Sequence, residues 1–430
     1  DEILEVLQQA DGIPQFVFDG QTCVLEDYLE LRPERADDLR RLIASRRLVI
    51  GPWYSMPDVF LPDGEALIRN LGRGWEDCRR WGAPYPNVGY VPDSFGHIEQ
   101  LPQILRGVGI DNFEFSRGLP VALSAADPFR REFVWEAPDG SQVLAIHLPS
   151  GYHGGMFLPS PAAGEALVER VRGLVAQGAA QTWAPGCALV PHGIDHCWLQ
   201  RDIGAIVRAL RRAMPEVTIH HGALADFVEA CRAELAGKPL ATYRGQLRGR
   251  LTAGELHGTL SSRVDTKIGN ELAQMHLESL AEPLDAIVQR LGKAAARPFL
   301  DKAWRGVLQS HAHDSICGCS VDQVHRDMEY RFDQARLIAS GIAADSLGAR
   351  RAGDLAVATM QTWGGNCVVL DDALILKAQR WLWDRLRIVA EPGGATAFAA
   401  LLAGAWKPPA DAHVGVVVCG ANCDPGSVVG

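Results

Sequence analysis

Three short polar segments of the chain carry side chains that could do chemistry together. Asp93 lies in "PDSFGH" and Asp195 in "PHGIDHCW", each directly after an apolar, strand-like run. The third segment, "HAHDS", places His313 and Asp314 at the end of a predicted helix. Two carboxylates on strand ends and a histidine–aspartate cluster suit acid/base catalysis by a carboxylate pair, with a metal bound through oxygen and nitrogen.

Each segment also has an interpretation that needs no chemistry. An aspartate after a strand is most often the N-cap of the next helix. Histidines on helices are most often solvated, or satisfied within a core. From composition and spacing alone, the sequence therefore predicts an α/β enzyme and leaves its chemistry open.

The elements that must position these residues follow an alternating pattern in the first 250 residues. Short apolar runs closed by Gly, Pro or Asp alternate with segments that have apolar residues three and four apart. The predicted strands are 46–54, 87–94, 143–148 and 187–193, and the clearest predicted helices are 37–45 and 162–177. This alternation is typical of an α/β domain with parallel strands, in which functional residues follow the carboxyl ends of the strands.

The pattern changes to long helices between about 263 and 340. Apolar residues recur every three to four positions and predict one buried stripe, formed by Ile268, Leu272, Met275, Leu280, Leu284, Ile287 and Leu291. Pro283 is expected to kink a helix and Pro298 to mark a helix boundary. The last 90 residues are rich in Ala and Gly, and "VGVVVCGANCD" (414–424) reads as a buried strand ending in a glycine turn.

Composition excludes several classes of partner. The 430-residue chain has a formal net charge of -10, which argues against nucleic acid or an anionic membrane surface as a partner. No apolar run reaches the roughly 18 residues that a membrane span needs. Ten scattered cysteines without a disulfide framework indicate reduced thiols and a cytoplasmic location. The first residues, "DEILEVLQQA", read like the middle of an amphipathic helix and predict a chain that lacks its beginning.

Four segments together resemble the α-mannosidases of glycoside hydrolase family 38, in order and with plausible spacing from residue 1 to about 338. "VPDSFGHIEQLPQILRGVGI" is similar to the family's nucleophile segment, and "AHDSICGCSVDQVHRDMEYRF" to its metal-binding segment. The stretch from "DGQTCVLEDYL" to "GEALIRNL" resembles a preceding barrel segment, especially of bacterial members. "GELHGTLSSRVDTKIGNE" resembles the start of the family's helical domain.

The resemblance implies a role for each matching residue. Asp93 is expected to be the nucleophile and also a zinc ligand, Asp195 the general acid/base, and His313 a second zinc ligand. Asp314 is expected to bind sugar hydroxyls. Further contacts around the sugar are expected from Arg117, Trp53 and Tyr54, and His196 is either a supporting residue behind Asp195 or a packing residue.

The implied reaction is retaining hydrolysis of α-mannosides, either oligomannosides or small mannosyl conjugates. A retaining mechanism needs two carboxyl groups about 5 Å apart, one to attack the anomeric carbon and one to protonate the leaving oxygen. Family members also carry a His-x-Asp zinc-ligand pair on their first strand. The first histidine here is His97, so the resemblance implies an incomplete (β/α)7-type barrel and an impaired zinc site.

The segments after about residue 341 resemble a different family, the pyridoxal-phosphate-dependent serine/threonine dehydratases. They are "GIAADSLGARRAGDLAVATMQ", "EPGGATAFAALLAG" and "VGVVVCGANCD", in which Cys419 matches the residue that meets the pyridine nitrogen. The Schiff-base lysine has no matching position, so pyridoxal phosphate is not expected to bind.

These resemblances divide the chain into three expected parts: a catalytic α/β barrel-like domain (1–255), a helical domain like a three-helix bundle (256–340), and a small dehydratase-like α/β fragment (341–430). Two partial enzymes in one chain favour a fused or misassembled reading frame over a bifunctional protein. A dehydratase-like lyase and a non-catalytic remnant are the alternatives to the mannosidase.

Overall fold

The computed structural model describes residues 1–9, 12–124, 130–249, 256–290, 292, 294–347, 368–416 and 418. The chain forms two compact units. The first comprises Asp1–Asn270 and Leu308–Glu329, and the second comprises Glu271–Val307 and Tyr330–Gly430. All of the candidate site residues belong to the first unit.

The first half of the chain alternates helices with short strands. Its helices are α1 (Glu2–Gln8), α2 (Cys23–Leu31), α3 (Ala36–Ala44), α4 (Gly64–Trp81), α5 (Leu101–Gly107), α6 (Val121–Ser124), α7 (Glu165–Ala179), α8 (Ile203–Ala213) and α9 (Leu224–Leu235). Its strands are β1 (Phe16–Val17), β2 (Leu48–Val49), β3 (Asn112–Phe115), β4 (Glu132–Glu136), β5 (Gln142–His147) and β6 (Thr242–Arg244).

The strands form two small sheets. β1 pairs with β2 in parallel, and the second sheet has the order β3-β5-β4-β6. In that sheet β3–β5 and β4–β6 are parallel, whereas β4 and β5 form an antiparallel hairpin. Asp139 and Gly140 make the tight turn of the hairpin, where Gly140 takes a φ of 87° that glycine adopts without strain. The sheet is therefore mixed, and not purely parallel as the sequence predicts.

The predicted elements of this region differ in outcome. The helices expected at 37–45 and 162–177 are present as α3 and α7, and β2 and β5 fall within two predicted strands. The run 87–94 contributes one parallel bridge, Tyr90 with Glu114, beside β3. The strand predicted at 187–193 is wrong: these residues are extended but unpaired with any strand, and the Pro191 carbonyl accepts instead from the Gly155 N–H.

Aromatic side chains of β3 and β4 fill the core behind the larger sheet. Phe113 and Phe115 stack at 5.4 Å between ring centroids, and Trp135 lies 5.1 Å from Phe113. All three rings are fully buried, and an aromatic ring of this kind removes about 150–250 Å² of surface from water. This packing fixes the sheet to which Tyr90, three residues before Asp93, is bridged. The described strands form two small sheets. The expected (β/α)7-type barrel therefore stays a prediction.

The helical character predicted for 263–340 is confirmed. The helices are α10 (Val264–His276), α11 (Glu282–Arg290), α12 (Arg297–Ser310), α13 (His313–Cys317) and α14 (Asp322–Leu347), with a π turn at Leu277–Ala281. The π turn ends two residues before Pro283. Proline lacks the N–H that a regular helical hydrogen bond needs, so the kink expected at Pro283 takes the form of a π turn. Pro298 lies in the first turn of α12, at the expected boundary.

The predicted apolar stripe is wrong at three of its seven positions, while Leu272, Leu280 and Leu284 are partly buried and Leu291 lies outside the described residues. Ile268, Met275 and Ile287 are 55%, 47% and 54% exposed. The buried positions recur three to four apart on another face, at Thr266, Asn270, Ala273, Leu277 and Ala281. Small and hydrogen-bonding side chains can be buried when they pack closely or find partners, and Asn270 lies 2.6 Å from His311 Nε2.

The end of the chain contains two further described helices, α15 (Asp372–Leu386) and α16 (Pro392–Leu402). They pack through a small alanine-rich core that includes Ala378, Leu382 and Ala395. Cys419 and most of the strand predicted at 414–424 lie outside the described residues. Within the described ranges, no helix is both long and apolar enough to span a membrane.

Candidate active site

A cavity of about 1360 Å³ in the first unit brings the predicted site residues together. Asp93, Asp195, His313 and Asp314 all line it. They come from three distant parts of the sequence: the segment after the bridge at Tyr90, the loop before α8, and the start of α13. The sequence prediction that these segments converge is therefore met in the structure.

The carboxylate of Asp93 contacts a guanidinium group and an imidazole ring. Its Oδ1 accepts hydrogen bonds from Arg117 Nε at 2.8 Å and Nη2 at 2.6 Å. Its Oδ2 lies 3.2 Å from His313 Nε2. Burial alone would raise the pKa of Asp93, but His313 and Arg117 outweigh it, and the pKa lies below the ordinary value. Asp93 is therefore an ionised carboxylate at neutral pH.

His313 is fixed by the backbone of the segment that follows β2. Its N–H donates to the Met56 carbonyl at 3.0 Å, and Ala312 bridges to Pro57 in antiparallel fashion. Burial opposes the charged imidazole, yet the hydrogen bond to Asp93 and the charge of Asp314 raise the pKa of His313. His313 and Asp93 thus form a mutually stabilised pair, although 220 residues separate them in sequence.

Asp195 has a much looser environment. It follows the extended run 187–193 on an irregular loop, and its side chain is 49% exposed. Oδ1 accepts a hydrogen bond from the Tyr152 hydroxyl at 3.3 Å, and Oδ2 lies 3.1 Å from His196 Nε2. The His196 side chain is exposed and touches Asp195, so it is not a packing residue.

Arg117, Trp53 and Tyr54 were expected around the sugar, and the structure treats them differently. Arg117 reaches the site through Asp93, as described. Trp53 and Tyr54 are fully buried; the first donates to the Tyr90 carbonyl at 3.1 Å and the second to Glu26 Oε2 at 2.7 Å. Neither ring lines the cavity, so neither is placed to contact a ligand inside it.

Asp19 is a cavity residue that the sequence analysis missed. It follows β1, lines the same cavity, and has a left-handed φ of 45°. Burial raises the pKa of Asp19 to about 6, and His313, Asp93 and Asp195 all lie close enough to influence it. The signal was present in "FVFDG", an apolar run that ends in aspartate, the same pattern that pointed to Asp93.

Asp93 and His313 are the candidate zinc ligands in the cavity. Asp93 oxygen and His313 nitrogen are donors that zinc accepts, but a zinc site has three or four protein ligands. Among the described residues, no group of three or more His, Cys, Asp or Glu side chains could hold a metal ion. These residues therefore supply two ligands and do not complete a zinc site.

Two family models match the chain. The model described as "Glycosyl hydrolases family 38 N-terminal domain" matches residues 1–246. The model described as "Alpha mannosidase middle domain" matches residues 255–349. Since the first alone covers more than half of the chain, the chain belongs to glycoside hydrolase family 38.

Several relatives are similar over most of this chain. A putative mannosylglycerate hydrolase of Halalkalibacterium halodurans is 36% identical over 355 residues, which are 80% of this chain and 39% of that protein. Human alpha-mannosidase 2C1 is 25% identical over 91% of this chain and 35% of its own length. The chain thus spans less than two fifths of these relatives.

A solved structure shows the same fold. The crystal structure of an alpha-mannosidase from Enterococcus faecalis V583 superposes with a TM-score of 0.74 at 32% identity, covering 80% of this chain and 39% of that one. A second family 38 structure from the same organism gives a TM-score of 0.63 at 30% identity, with 80% and 36% covered. The chain therefore has the mixed α/β, helix-containing fold of the family 38 α-mannosidases.

Proposed function

We propose that this chain forms the catalytic part of a retaining α-mannosidase-type glycoside hydrolase. The observation that carries the proposal is the placement of Asp93 and Asp195 on one cavity in contrasting environments. Two carboxyl groups that share a sugar site must differ, because one has to be ionised and the other has to deliver a proton. The ion-paired Asp93 meets the first requirement, and the second role is the one we propose for Asp195.

In the proposed mechanism, Asp93 is the nucleophile. Its carboxylate attacks the anomeric carbon and forms a covalent mannosyl ester, while the bond to the leaving oxygen breaks. Asp195 gives its proton to that oxygen and so releases the aglycone as an alcohol. Asp195 then takes a proton from water, which attacks the ester and frees both mannose and Asp93.

Other residues bind or hold these groups. Asp314 lines the cavity and is proposed to accept hydrogen bonds from sugar hydroxyls. Arg117 is proposed to keep Asp93 ionised and oriented through its two hydrogen bonds. Trp53 and Tyr54 were expected to line the sugar subsite; because they are buried, their proposed role is to support the cavity wall from behind.

The proposal includes zinc, with Asp93 and His313 as two of its ligands. When bound, the ion would act as a Lewis acid toward two adjacent sugar hydroxyls. An ion held by two protein ligands is bound much more weakly than one held by three or four. Zinc bound by Asp93 and His313 alone is therefore expected to be released readily.

The remaining parts of the proposal concern organisation. We keep the division into a catalytic domain (1–255), a helical domain (256–340) and a C-terminal fragment (341–430), together with a cytoplasmic location. Substrates are α-mannosides, as oligomannosides or small mannosyl conjugates. Neither of the two matching family models extends beyond residue 349. The dehydratase alternative gains no support from them, and pyridoxal phosphate is not part of the proposal.

Hydrolysis of an aryl α-mannoside tests the proposal, with one portion of the protein treated with a chelator and another supplied with added zinc. We expect slow release of the phenol that zinc increases and chelation abolishes. Release that is unaffected by either treatment would contradict the zinc assignment. Complete absence of release at high zinc concentration would favour a non-catalytic remnant.

A further inference from the structure

Asp19 follows β1, lines the cavity and has a left-handed backbone conformation. Its φ is 45° and that of Gly20 is 71°, so two consecutive residues adopt the left-handed region. An aspartate is found there far less often than a glycine, and such conformations cluster at functional sites.

The neighbours of Asp19 fix its place relative to the catalytic pair. Gln21 Nε2 donates to Asp19 Oδ2 at 3.5 Å, and Gln21 Oε1 accepts from the Met56 N–H at 2.8 Å. The carbonyl of the same residue, Met56, accepts from the His313 N–H at 3.0 Å. The two backbone groups of Met56 therefore connect His313 directly, and Asp19 through Gln21.

The carboxylate of Asp19 is weakly engaged compared with the others in the cavity. Asp93 is bound by Arg117 and His313, and Asp195 by Tyr152 and His196. For Asp19, the contact with Gln21 is at the limit of a hydrogen bond. The two oxygens of Asp19 therefore have more capacity left to accept hydrogen bonds than those of Asp93 or Asp195.

The chemistry of the surroundings indicates what would bind. Asp93 and Asp195 both act on Asp19 as negative charges, and His313, which acts on it as a positive charge, is already paired with Asp93. A negatively charged ligand group is therefore disfavoured beside Asp19. Carboxylates only accept hydrogen bonds, and hydroxyl groups can donate them. A neutral, polyhydroxylated ring is the complementary ligand. We propose that Asp19 is a substrate-binding residue whose carboxylate accepts hydrogen bonds from hydroxyl groups of the mannose ring; this inference rests on the proposed function.

The test compares Asp19→Asn with the unchanged chain. The amide keeps the shape of the side chain and loses the charged acceptor. A hydrogen bond to a charged group is worth enough to change affinity about 10- to 100-fold, so KM for an aryl α-mannoside should rise by that factor, with a smaller change in kcat. Asp226→Asn is the matched control, because Asp226 also lines the cavity but pairs with His220; its KM should stay within twofold.

Direct binding keeps this inference distinct from the proposed function. Mannose affinity is measured by calorimetry for the unchanged chain and both variants, after thermal melts confirm that each is folded. Weaker mannose binding only in Asp19→Asn supports the inference even if no turnover occurs, in which case the proposed function alone fails. Equal KM and equal mannose affinity in all three proteins would overturn it. So would a loss of bound metal without a change in sugar affinity, or the absence of mannose binding to the unchanged chain.

Discussion

The surroundings of Asp93 and of Asp195 differ in every physical respect that matters for a carboxylate. Asp93 follows a chain segment that bridges to β3, is largely buried, and accepts three contacts of 3.2 Å or less from Arg117 and His313. Asp195 lies on an irregular loop, is half exposed, and has two contacts of 3.1 Å or more.

This difference fits the two roles that we propose for these carboxyl groups. A nucleophile has to stay ionised and keep its position relative to the anomeric carbon, and the contacts of Asp93 with Arg117 and His313 supply both. A general acid/base has to gain and lose a proton in each cycle, and access to water permits this exchange. The structure therefore supports distinct roles for two residues of the same type.

Removal of Asp93 should have the largest effect. Asp93→Ala deletes the group that forms the covalent intermediate, so kcat/KM for an aryl α-mannoside should fall by at least about 10³-fold. The measurement is initial rate with zinc present, with Asp139→Asn in the exposed β4–β5 turn as the control. Retention of more than a tenth of the activity by Asp93→Ala would contradict the nucleophile role that distinguishes Asp93 from Asp195.

Removal of Asp195 should have an effect that depends on the leaving group. General acid catalysis contributes about 10²- to 10⁴-fold, and a good leaving group needs less of it. Asp195→Asn should therefore slow hydrolysis of an alkyl mannoside much more than that of a nitrophenyl mannoside, measured as the two ratios of kcat/KM. Equal losses on both substrates would contradict the acid role.

Loss of the Arg117 contact should have a smaller effect, on pH dependence. Arg117 stabilises the ionised form of Asp93, so Arg117→Met should raise the pKa of Asp93. An adjacent opposite charge lowers a carboxyl pKa by about 1–3 units. The acidic limb of the pH profile of kcat/KM should consequently move to higher pH by about one unit or more.

The control for this shift is Arg201→Met. Arg201 also lines the cavity but pairs with Glu2, so its removal should leave the acidic limb in place. An unchanged limb in Arg117→Met would mean that Arg117 does not set the ionisation of Asp93, and the contrast with Asp195 would lose its electrostatic basis.

The sequence predicts which residues share the cavity better than it predicts the elements around them. Asp93, Asp195 and His313 were found because polar residues after apolar runs are conspicuous and because their segments resemble a known family. The strand at 187–193 was predicted wrongly, since an apolar run does not reveal whether a partner strand pairs with it. Here Pro191 cannot donate a ladder hydrogen bond.

Two other errors have related causes. Asp19 was overlooked because Asp-Gly after an apolar run also reads as a simple turn, and only coordinates show that it faces Asp93 and Asp195. The stripe on α10 and α11 was placed on the large apolar residues, whereas burial follows the close packing of Ala273 and Ala281 and the hydrogen bond of Asn270. Pairwise partners of this kind are not encoded in residue type alone.

Covalent labelling tests the central claim most directly. A fluorinated mannosyl fluoride traps the ester on a retaining nucleophile, because the fluorine slows its hydrolysis more than its formation. We predict that mass spectrometry of the digested protein finds the added sugar on the peptide that contains Asp93, and that Asp93→Ala takes up none. A label on Asp195 or on any other carboxylate would contradict the account.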